Sequence, residues 1–413
     1  MKRIISNSIL VVLILLTGCS GRMPEANMAN KDTADAAENV RGENVINTDV
    51  TEKITPAERA EALYERIVEL FGIKGQNLFL EHYPSLESDR AVSYLWPFSG
   101  MLSAVNALGK LEGGKDKYNG SLQCVMAGLE KYMDGLRQPA AYQSYPFDFG
   151  GDDRFYDDNL WLGLDFIDAY ELTEDGRYLK KAEDIFEFIL SGWSGELGGG
   201  IYWCEQKKES KNTCSNGPAA VLALRLYEIT GDKGYFDWGM KIYQWTRLNL
   251  QSPEGVYWDN INLQGAVDKT AYAYNSGTML NAAVLLYRIT GDGEYLKEAR
   301  RVAEASFDHF APVRRDGRRF FPAENPWFTL ILFRGYQALY EVDRESAYIM
   351  TIAENVDYAW SHARDRNGLI SRDWSGERSD VGESKWLLDE ACMVVFYADI
   401  ARWEGGADSP DAD

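Results

Sequence analysis

One short motif recurs four times along the chain and limits its architecture more than any other feature. Tyr170-Glu171-Leu172-Thr173-Glu174-Asp175, Tyr227-Glu228-Ile229-Thr230-Gly231-Asp232 and Tyr287-Arg288-Ile289-Thr290-Gly291-Asp292 are copies of one segment, and Tyr340-Glu341-Val342-Asp343 is a divergent fourth. Intervals between the tyrosines are 57, 60 and 53 residues. Self-similarity of this kind marks a supersecondary unit that buries its apolar face only against the next copy. Each interval has room for two helices and a long loop. The helix before each copy is apolar almost all round, as in Ala219-Ala220-Val221-Leu222-Ala223-Leu224. The helix after it is amphipathic. Ala182, Ile185, Phe186, Ile189 and Leu190 fall at helical spacing, and Lys180, Lys181, Glu183, Asp184 and Glu187 cover the opposite face.

A helix buried on all sides, paired with one half in water, implies an inner ring inside an outer ring. Inner helices are expected to begin near Pro97, Asp158, Asn216, Ser276, Trp327 and Trp386. Outer ones are expected near Pro56, Tyr118, Tyr178, Tyr235, Tyr295 and Ser346. The first has a clear start signal, with Thr55 as N-cap, Pro56 in the first turn and Glu58 completing a capping box. The expected fold is therefore all-α, an (α/α)6 toroid forming one domain over residues 55–405, with a short tail at 406–413. An open α-solenoid of hairpins is the alternative. It is disfavoured because the loops exceed the 2–8 residues usual between bundled helices.

The repeat also supplies a register. Twelve residues before the marker tyrosines stand Asp158, Ser215, Asn275 and Phe328, preceded by Asp157, Cys214, Tyr274 and Trp327. If the inner helices run one way, their starts gather at one end of the ring together with the long outer-to-inner loops. Those loops are rich in Gly and aromatic residues: Tyr145 to Gly151, Gly198 to Trp203, Gly255 to Asp259, Phe320 to Pro322, and Arg372 to Trp374. The opposite end has short turns, so one end is scaffold and the other a cup. Within the cup, Phe155-Tyr156-Asp157-Asp158-Asn159 is the most informative stretch. One carboxylate at a helix start is explained by the unpaired N–H groups and the dipole there. A second, adjacent one is not. Where a chain turns from loop into helix, both can face one cleft, as in a retaining glycosidase whose carboxyl groups stand roughly 5–5.5 Å apart.

Simpler readings stay open for the other cup residues. Each loop Trp or Tyr either packs its loop or meets a ligand. Asn216 and Asn275 either cap helices or contact substrate. Asp148, Asp152, Asp153, Asp157 and Asp158 are a conceivable cation site, but their order lacks the EF-hand pattern. With only His82, His309 and His362 in the chain, no metal and no cofactor is expected. Cys204 and Cys214 bracket one loop and are a candidate disulfide in an oxidising compartment.

Met1 to Gly18 reads as a secretion leader: Lys2 and Arg3 precede an apolar run from Ile9 to Leu16, too short to span a membrane. Leu16-Thr17-Gly18-Cys19 resembles a bacterial lipobox, which implies cleavage after residue 18 and acylation of Cys19. Residues 19–54 are rich in Asn, Asp, Glu and Ala and read as a disordered tether. The expected location is a lipid anchor on a bacterial membrane, the outer membrane, on its periplasmic face or at the cell surface. A net charge of −21 argues against nucleic acid and anionic surfaces and fits a neutral substrate. Aromatic faces with amide donors suit neutral sugars, whose C–H faces pack on rings while hydroxyls take directed hydrogen bonds.

From about Ala91 to Trp403 the chain resembles glycoside hydrolase family 76, the bacterial and fungal α-1,6-mannanases. The matching stretches are Tyr156-Asp157-Asp158-Asn159, Gly199-Gly200-Ile201-Tyr202-Trp203, Lys211-Asn212 with Ser215-Asn216-Gly217, and Tyr274-Asn275-Ser276-Gly277-Thr278. Two departures are visible: Ser276 stands where the family commonly has Gln, which puts one sugar contact in doubt, and Cys204 and Cys214 are not expected family features. The resemblance implies endo-hydrolysis of α-1,6-mannan with retention, with Asp157 as nucleophile and Asp158 as acid/base. Register and resemblance together give the expected substrate-binding set: Tyr156, Asn159, Trp203, Asn216, Trp258, Tyr274, Asn275, Trp327 and Trp374. The expected partner is an α-mannan chain, bound by a monomer. Competing readings keep the fold but change the role. Unsaturated glucuronyl hydrolases and lyases, which act on acidic sugars, would want a basic cleft, whereas the long loops carry few cations beyond Arg314-Arg315 and Arg318-Arg319; an epimerase would normally lack a lipoprotein signal. A non-catalytic glycan-binding lipoprotein would bind without product, and a protein-binding solenoid would require disordered loops.

Overall fold

The computed structural model describes residues 54–321, 325–377 and 383–406. The expected leader, Cys19 and nearly all of the tether lie outside the described residues, as does the tail from 407. Among the described residues there are twelve α-helices, and each begins within four residues of its expected start. The inner helices are α2 (Leu95–Gly109), α4 (Tyr156–Thr173), α6 (Thr213–Thr230), α8 (Ala273–Thr290), α10 (Pro326–Asp343) and α12 (Leu387–Glu404). The outer ones are α1 (Pro56–Phe71), α3 (Gly114–Leu129), α5 (Gly176–Ser191), α7 (Lys233–Leu250), α9 (Gly293–Phe310) and α11 (Ala347–His362). Each inner helix packs on the next, and α12 returns to pack on α2. That closure separates the (α/α)6 toroid from an open solenoid.

The structure explains the repeated motif atom by atom. Its Tyr carbonyl accepts the N–H of a left-handed residue that ends the inner helix, at 2.7 Å for Glu174 and 2.8 Å for both Gly231 and Gly291. Its Thr hydroxyl folds back onto the carbonyl four residues earlier, as in Thr230 to Leu226 at 2.7 Å. The Thr oxygen also receives the Asp N–H, and the Asp carboxylate then caps the outer helix: Asp232 accepts from Gly234 N at 2.8 Å. Six residues thus stop one helix, reverse the chain and start the next. This is why these turns are short.

The capping box at Thr55 and Glu58 forms as expected. Burial follows the two-ring reading. In α6 nearly every residue from Thr213 to Leu226 is buried, whereas α5 buries only a stripe that includes Ala182, Ile185, Phe186 and Ile189. The rings pack closely enough that α8 and α10 touch backbone to backbone. A Cβ placed on Gly277 would stand 2.5 Å from Leu332 Cα and 2.6 Å from the Ile331 carbonyl oxygen.

Candidate active site

Because the inner helices run in parallel, their first turns form stacked layers at one end of the ring. One layer holds Trp96, Asp157, Cys214, Tyr274 and Trp327; the next holds Pro97, Asp158, Ser215, Asn275, Phe328 and Asp389. Trp96, Asp157, Cys214, Tyr274 and Trp327 of the first layer and Pro97, Asp158 and Phe328 of the second line a cavity of about 840 Å³, which Trp203 also borders. The pair sits on α4, and the rings of Tyr274 and Phe328, stacked at 4.4 Å, come from α8 and α10. One turn below the pair, Trp161 meets Trp327 edge-on at 5.6 Å and Tyr274 at 6.4 Å. These three side chains form the floor.

A second cavity of about 730 Å³ opens toward the opposite end. Its charges are mutually paired, as in Arg225 to Asp168 at 2.9 Å and Arg225 to Glu171 at 2.8 Å. Despite burial, Lys110 and Arg225 hold the Asp168 carboxyl well below the usual carboxylate range. The carboxylates lining this cavity are thus set among arginine and lysine partners. Those of the cup are not: Asp157 and Asp158 stand side by side and have no cationic partner among the described residues.

The loop leading into the pair is held by buried charge. Arg154, fully buried, donates through Nε to Glu205 at 2.7 Å and through a terminal nitrogen to the Pro139 carbonyl at 2.9 Å. Phe155 forms an antiparallel bridge with Cys204, and Tyr156 N–H reaches the Trp203 carbonyl at 3.0 Å. That bridge brings the Trp203 indole over the pair, where its Nε1–H donates to Asp157 Oδ2 at 3.0 Å. Burial raises Asp157 to about 6, opposed by the Trp203 N–H and the neighbouring Cys214 thiol. Asp158 is driven further up, by burial and by the charge of Asp157, and among the described residues no donor offsets this. The two carboxyls are therefore unequal: Asp157 ionises first and Asp158 keeps its proton.

Several expected substrate contacts prove to be structural. Asn159 is buried; its Oδ1 accepts from Tyr142 N and its Nδ2 donates to the Tyr142 and Phe155 carbonyls, all at 2.9 Å. Asn216 repeats this on α6, accepting from Ile201 N at 2.8 Å and donating to the Ile201 and Asn212 carbonyls. Ser276 and Glu390 hold the same place on α8 and α12, accepting from Tyr257 N at 3.1 Å and Ile370 N at 3.0 Å. The fourth residue of these helices splints the preceding loop, so Ser276 in place of Gln alters a splint and not a sugar contact. Asn216 is not a cap either; the N-cap of α6 is Asn212.

Tyr156 is buried as well, stacked on Phe188 at 4.7 Å with its hydroxyl 3.4 Å from Ser191 Oγ. Trp374 is buried away from the cup, edge-on to Phe396 at 5.4 Å. Trp258 lies beneath Lys269 and outside the cavity lining, at a β-bulge between Trp258 and Asn260 that interrupts the regular alternation of the strand Trp258–Asn262. Its neighbour Asp259 enters the cup in its place. Asn275 is buried beside Asp259 and does not line the cavity; the N-cap of α8 is Tyr272. Asp157, Asp158, Trp203, Tyr274 and Trp327 are where the sequence placed them.

Cys204 and Cys214 are both free thiols, so the candidate disulfide does not form. The bridge to Phe155 sends Cys204 Sγ toward Gln206 Oε1 at 3.7 Å, while Cys214, on the first turn of α6, faces Asp157. Each belongs to a different wall. Reducing agent is therefore expected to leave the melting temperature unchanged, and alkylation of the unfolded protein without reductant should modify both cysteines; a retained Cys204–Cys214 peptide by mass spectrometry would contradict this.

Other residues of the cup escaped the sequence reading. Glu81 reaches it from the α1–α2 connection, accepting from Trp386 Nε1 and Tyr94 N, both at 2.7 Å. Trp96 meets Trp386 edge-on at 5.3 Å. Trp96 shares its layer with Asp157, so extending the register to α2 would have found it; that helix is followed by no marker tyrosine. Outside the cavity lining, on α12, Asp389 pairs with Arg372 and is raised to about 6 by burial, with Arg372 opposing the shift.

This geometry coincides with a known group. The sequence profile of glycosyl hydrolase family 76 matches residues 73–385. A family 76 mannosidase from Bacteroides thetaiotaomicron VPI-5482 shares 29% identity with a TM-score of 0.79, covering 85% of this chain and 99% of that one. An α-1,6-mannanase from Salegentibacter sp. HEL1_6 shares 27% identity with a TM-score of 0.70, covering 84% of this chain and 99% of that one. An inactive variant of the latter, with two consecutive aspartates replaced by alanine, is known in complex with α-1,6-mannotetrose; it matches at 27% identity and a TM-score of 0.70, covering 84% of this chain and 98% of that one. Among curated relatives, the mannan endo-1,6-α-mannosidase DCW1 of Saccharomyces cerevisiae is 29% identical over 168 residues, which are 36% of this chain and 37% of the relative. The chain thus aligns with little more than a third of the length of that relative. With the profile spanning most of the toroid and both long loops and layers in place, the chain belongs to glycoside hydrolase family 76.

Proposed function

We propose that the protein is a retaining, endo-acting hydrolase of α-1,6-linked mannan, with Asp157 as nucleophile and Asp158 as acid/base. The observation that carries this reading is the inequality of two adjacent carboxyls at the head of α4, one stabilised in its charged form by an indole N–H and the other raised by burial and by its charged twin. In the first step the Asp157 carboxylate attacks the anomeric carbon while Asp158 gives its proton to the departing glycosidic oxygen. A mannosyl ester and a shortened chain result. Asp158, now charged, takes a proton from water as the water opens the ester, and two inversions leave the configuration retained. The aromatic wall of Tyr274 and Phe328 suits the C–H face of a pyranose, and the carboxyls of Glu81, Asp152, Asp153 and Asp259 in the lining, besides the pair, disfavour an anionic sugar.

Incubating unbranched α-1,6-mannan with the purified protein should give a ladder of manno-oligosaccharides, and NMR at early times should show the α-anomer as first product. Only monosaccharide, a β-anomer first, or ultraviolet absorbance from a new double bond would each refute the reading. Bound mannan with no product would make the cup a receptor.

Trp203 tests the electrostatics. Trp203→Phe keeps an aromatic ring but removes the N–H that favours the charged form of Asp157. The acid limb of the kcat/KM profile should then move to higher pH, with a loss of roughly tenfold at the optimum, the worth of a hydrogen bond to a charged group. An acid limb unmoved by the substitution would separate Trp203 from the ionisation of Asp157.

We also infer that the mature chain is acylated at Cys19 and held on a membrane. The support is the run from Lys2 through Leu16 to Cys19. Cys19→Ala should abolish incorporation of a labelled fatty acid in cells and release the protein from the membrane fraction.

A further inference from the structure

The cup continues onto an exposed rim built from the α1–α2 and α3–α4 loops. Tyr94 lines the cavity and is 40% exposed. Its backbone is pinned through N–H to Glu81, and its ring lies 5.4 Å from Tyr145, which lies 5.2 Å from Phe149. Phe149 is 56% exposed. The Arg90 guanidinium stands 3.8 Å over the Tyr145 ring and 5.5 Å from Tyr94, and it bonds Asp152 at 3.2 Å. Asp152 also lines the cavity.

Isolated exposed aromatics are ordinary, but these are contiguous with a cavity and interleaved with a donor and an acceptor of opposite charge. Open rings accept the C–H face of a sugar, the guanidinium offers N–H groups to hydroxyl oxygens, and the carboxylate accepts from hydroxyl hydrogens. Because the Arg90 and Asp152 charges offset each other, the rim favours a neutral partner over an ionic one. We propose that this rim is an outer sugar subsite, which seats a mannose unit remote from the bond being cleaved and so favours long chains over short ones. The proposal rests on the reading of the cup as an α-1,6-mannan hydrolase.

The test uses Tyr94→Ala and Phe149→Ala, made separately in the full chain and assayed on α-1,6-manno-oligosaccharides of increasing length. The kcat/KM ratio of the longest to the shortest cleaved substrate should fall roughly 3- to 10-fold in each variant, the share of one aromatic contact, and the fall should come through KM. A merely structural role would lower all lengths alike and lower the melting temperature. If the wild type cleaves mannan and neither variant changes the length ratio, the subsite is overturned and the hydrolase reading stands. A wild type inert on every chain would overturn both.

Discussion

Asp157→Asn should leave a folded protein with no measurable turnover of α-1,6-mannan, because an amide cannot form the mannosyl ester. Asp158→Asn should lose roughly 10²- to 10⁴-fold, the usual share of an acid/base. Its loss should shrink on an aryl mannoside whose leaving group departs without a proton, since the first step then needs no acid. The asymmetry between the two variants is the diagnostic result. If both fall equally on every substrate, the roles given to the two carboxyls are wrong; if both keep near-native rates with melting temperatures intact, the pair is not the catalytic centre.

The same pair sets a pH profile. The reactive form has Asp157 charged and Asp158 protonated. As pH rises, kcat/KM should increase as Asp157 ionises near 6 and fall again once Asp158, held higher by burial and by its charged neighbour, gives up its proton. A rate that stays flat across the acid limb would show that Asp157 ionises well below that range.

The second large effect is on stability. Gly277→Val should cost about 3 kcal/mol, at the high end for overpacking, and lower the melting temperature by several degrees. The clash is with the Leu332 Cα and the Ile331 carbonyl, which are backbone atoms and cannot rotate away. On the opposite side Gly335 faces the Gly277 carbonyl, so neither helix can yield without opening the α8–α10 contact. Gly120→Ala on α3 is the control, because a Cβ there meets nothing within 4 Å. It should gain about 0.5–1 kcal/mol from helix propensity. Differential scanning calorimetry of both variants decides the matter. Equal, small shifts would mean that the inner ring tolerates separation.

The functional cost of these helix contacts is indirect but definite. Asp157 and Asp158 face Tyr274 and Phe328 across a bore whose width is set by how closely the inner helices pack. A ring widened at α8–α10 would move the aromatic wall from the pair and open the floor that Trp161 makes with Trp327 and Tyr274.

Much of this molecule follows from local chemistry. The turn needs only a left-handed residue, a hydroxyl that folds back and a carboxylate that caps, all within six positions, so three full copies and a divergent fourth announce four helical hairpins. Apolar residues on every side of one helix and on one stripe of the next decide which ring each occupies. The register then places Asp157, Asp158, Tyr274 and Trp327 at one end, because residues a fixed number of steps from equivalent turns share a height. What these rules cannot reach is the partner of a loop side chain. Asn159 and Asn216 have the composition of sugar contacts, but a loop crossing above each helix claims them as splints. Asp259 lines the cup in place of Trp258 because a β-bulge, formed only when this strand pairs with its neighbours, resets which side chains face inward. Glu81 and Trp386 meet across 305 residues of sequence only when α12 closes on α2. Contacts a few residues long dictate the helices, their order and the carboxylate pair; ring closure dictates which side chains line the cup, because it joins segments that no local pattern relates.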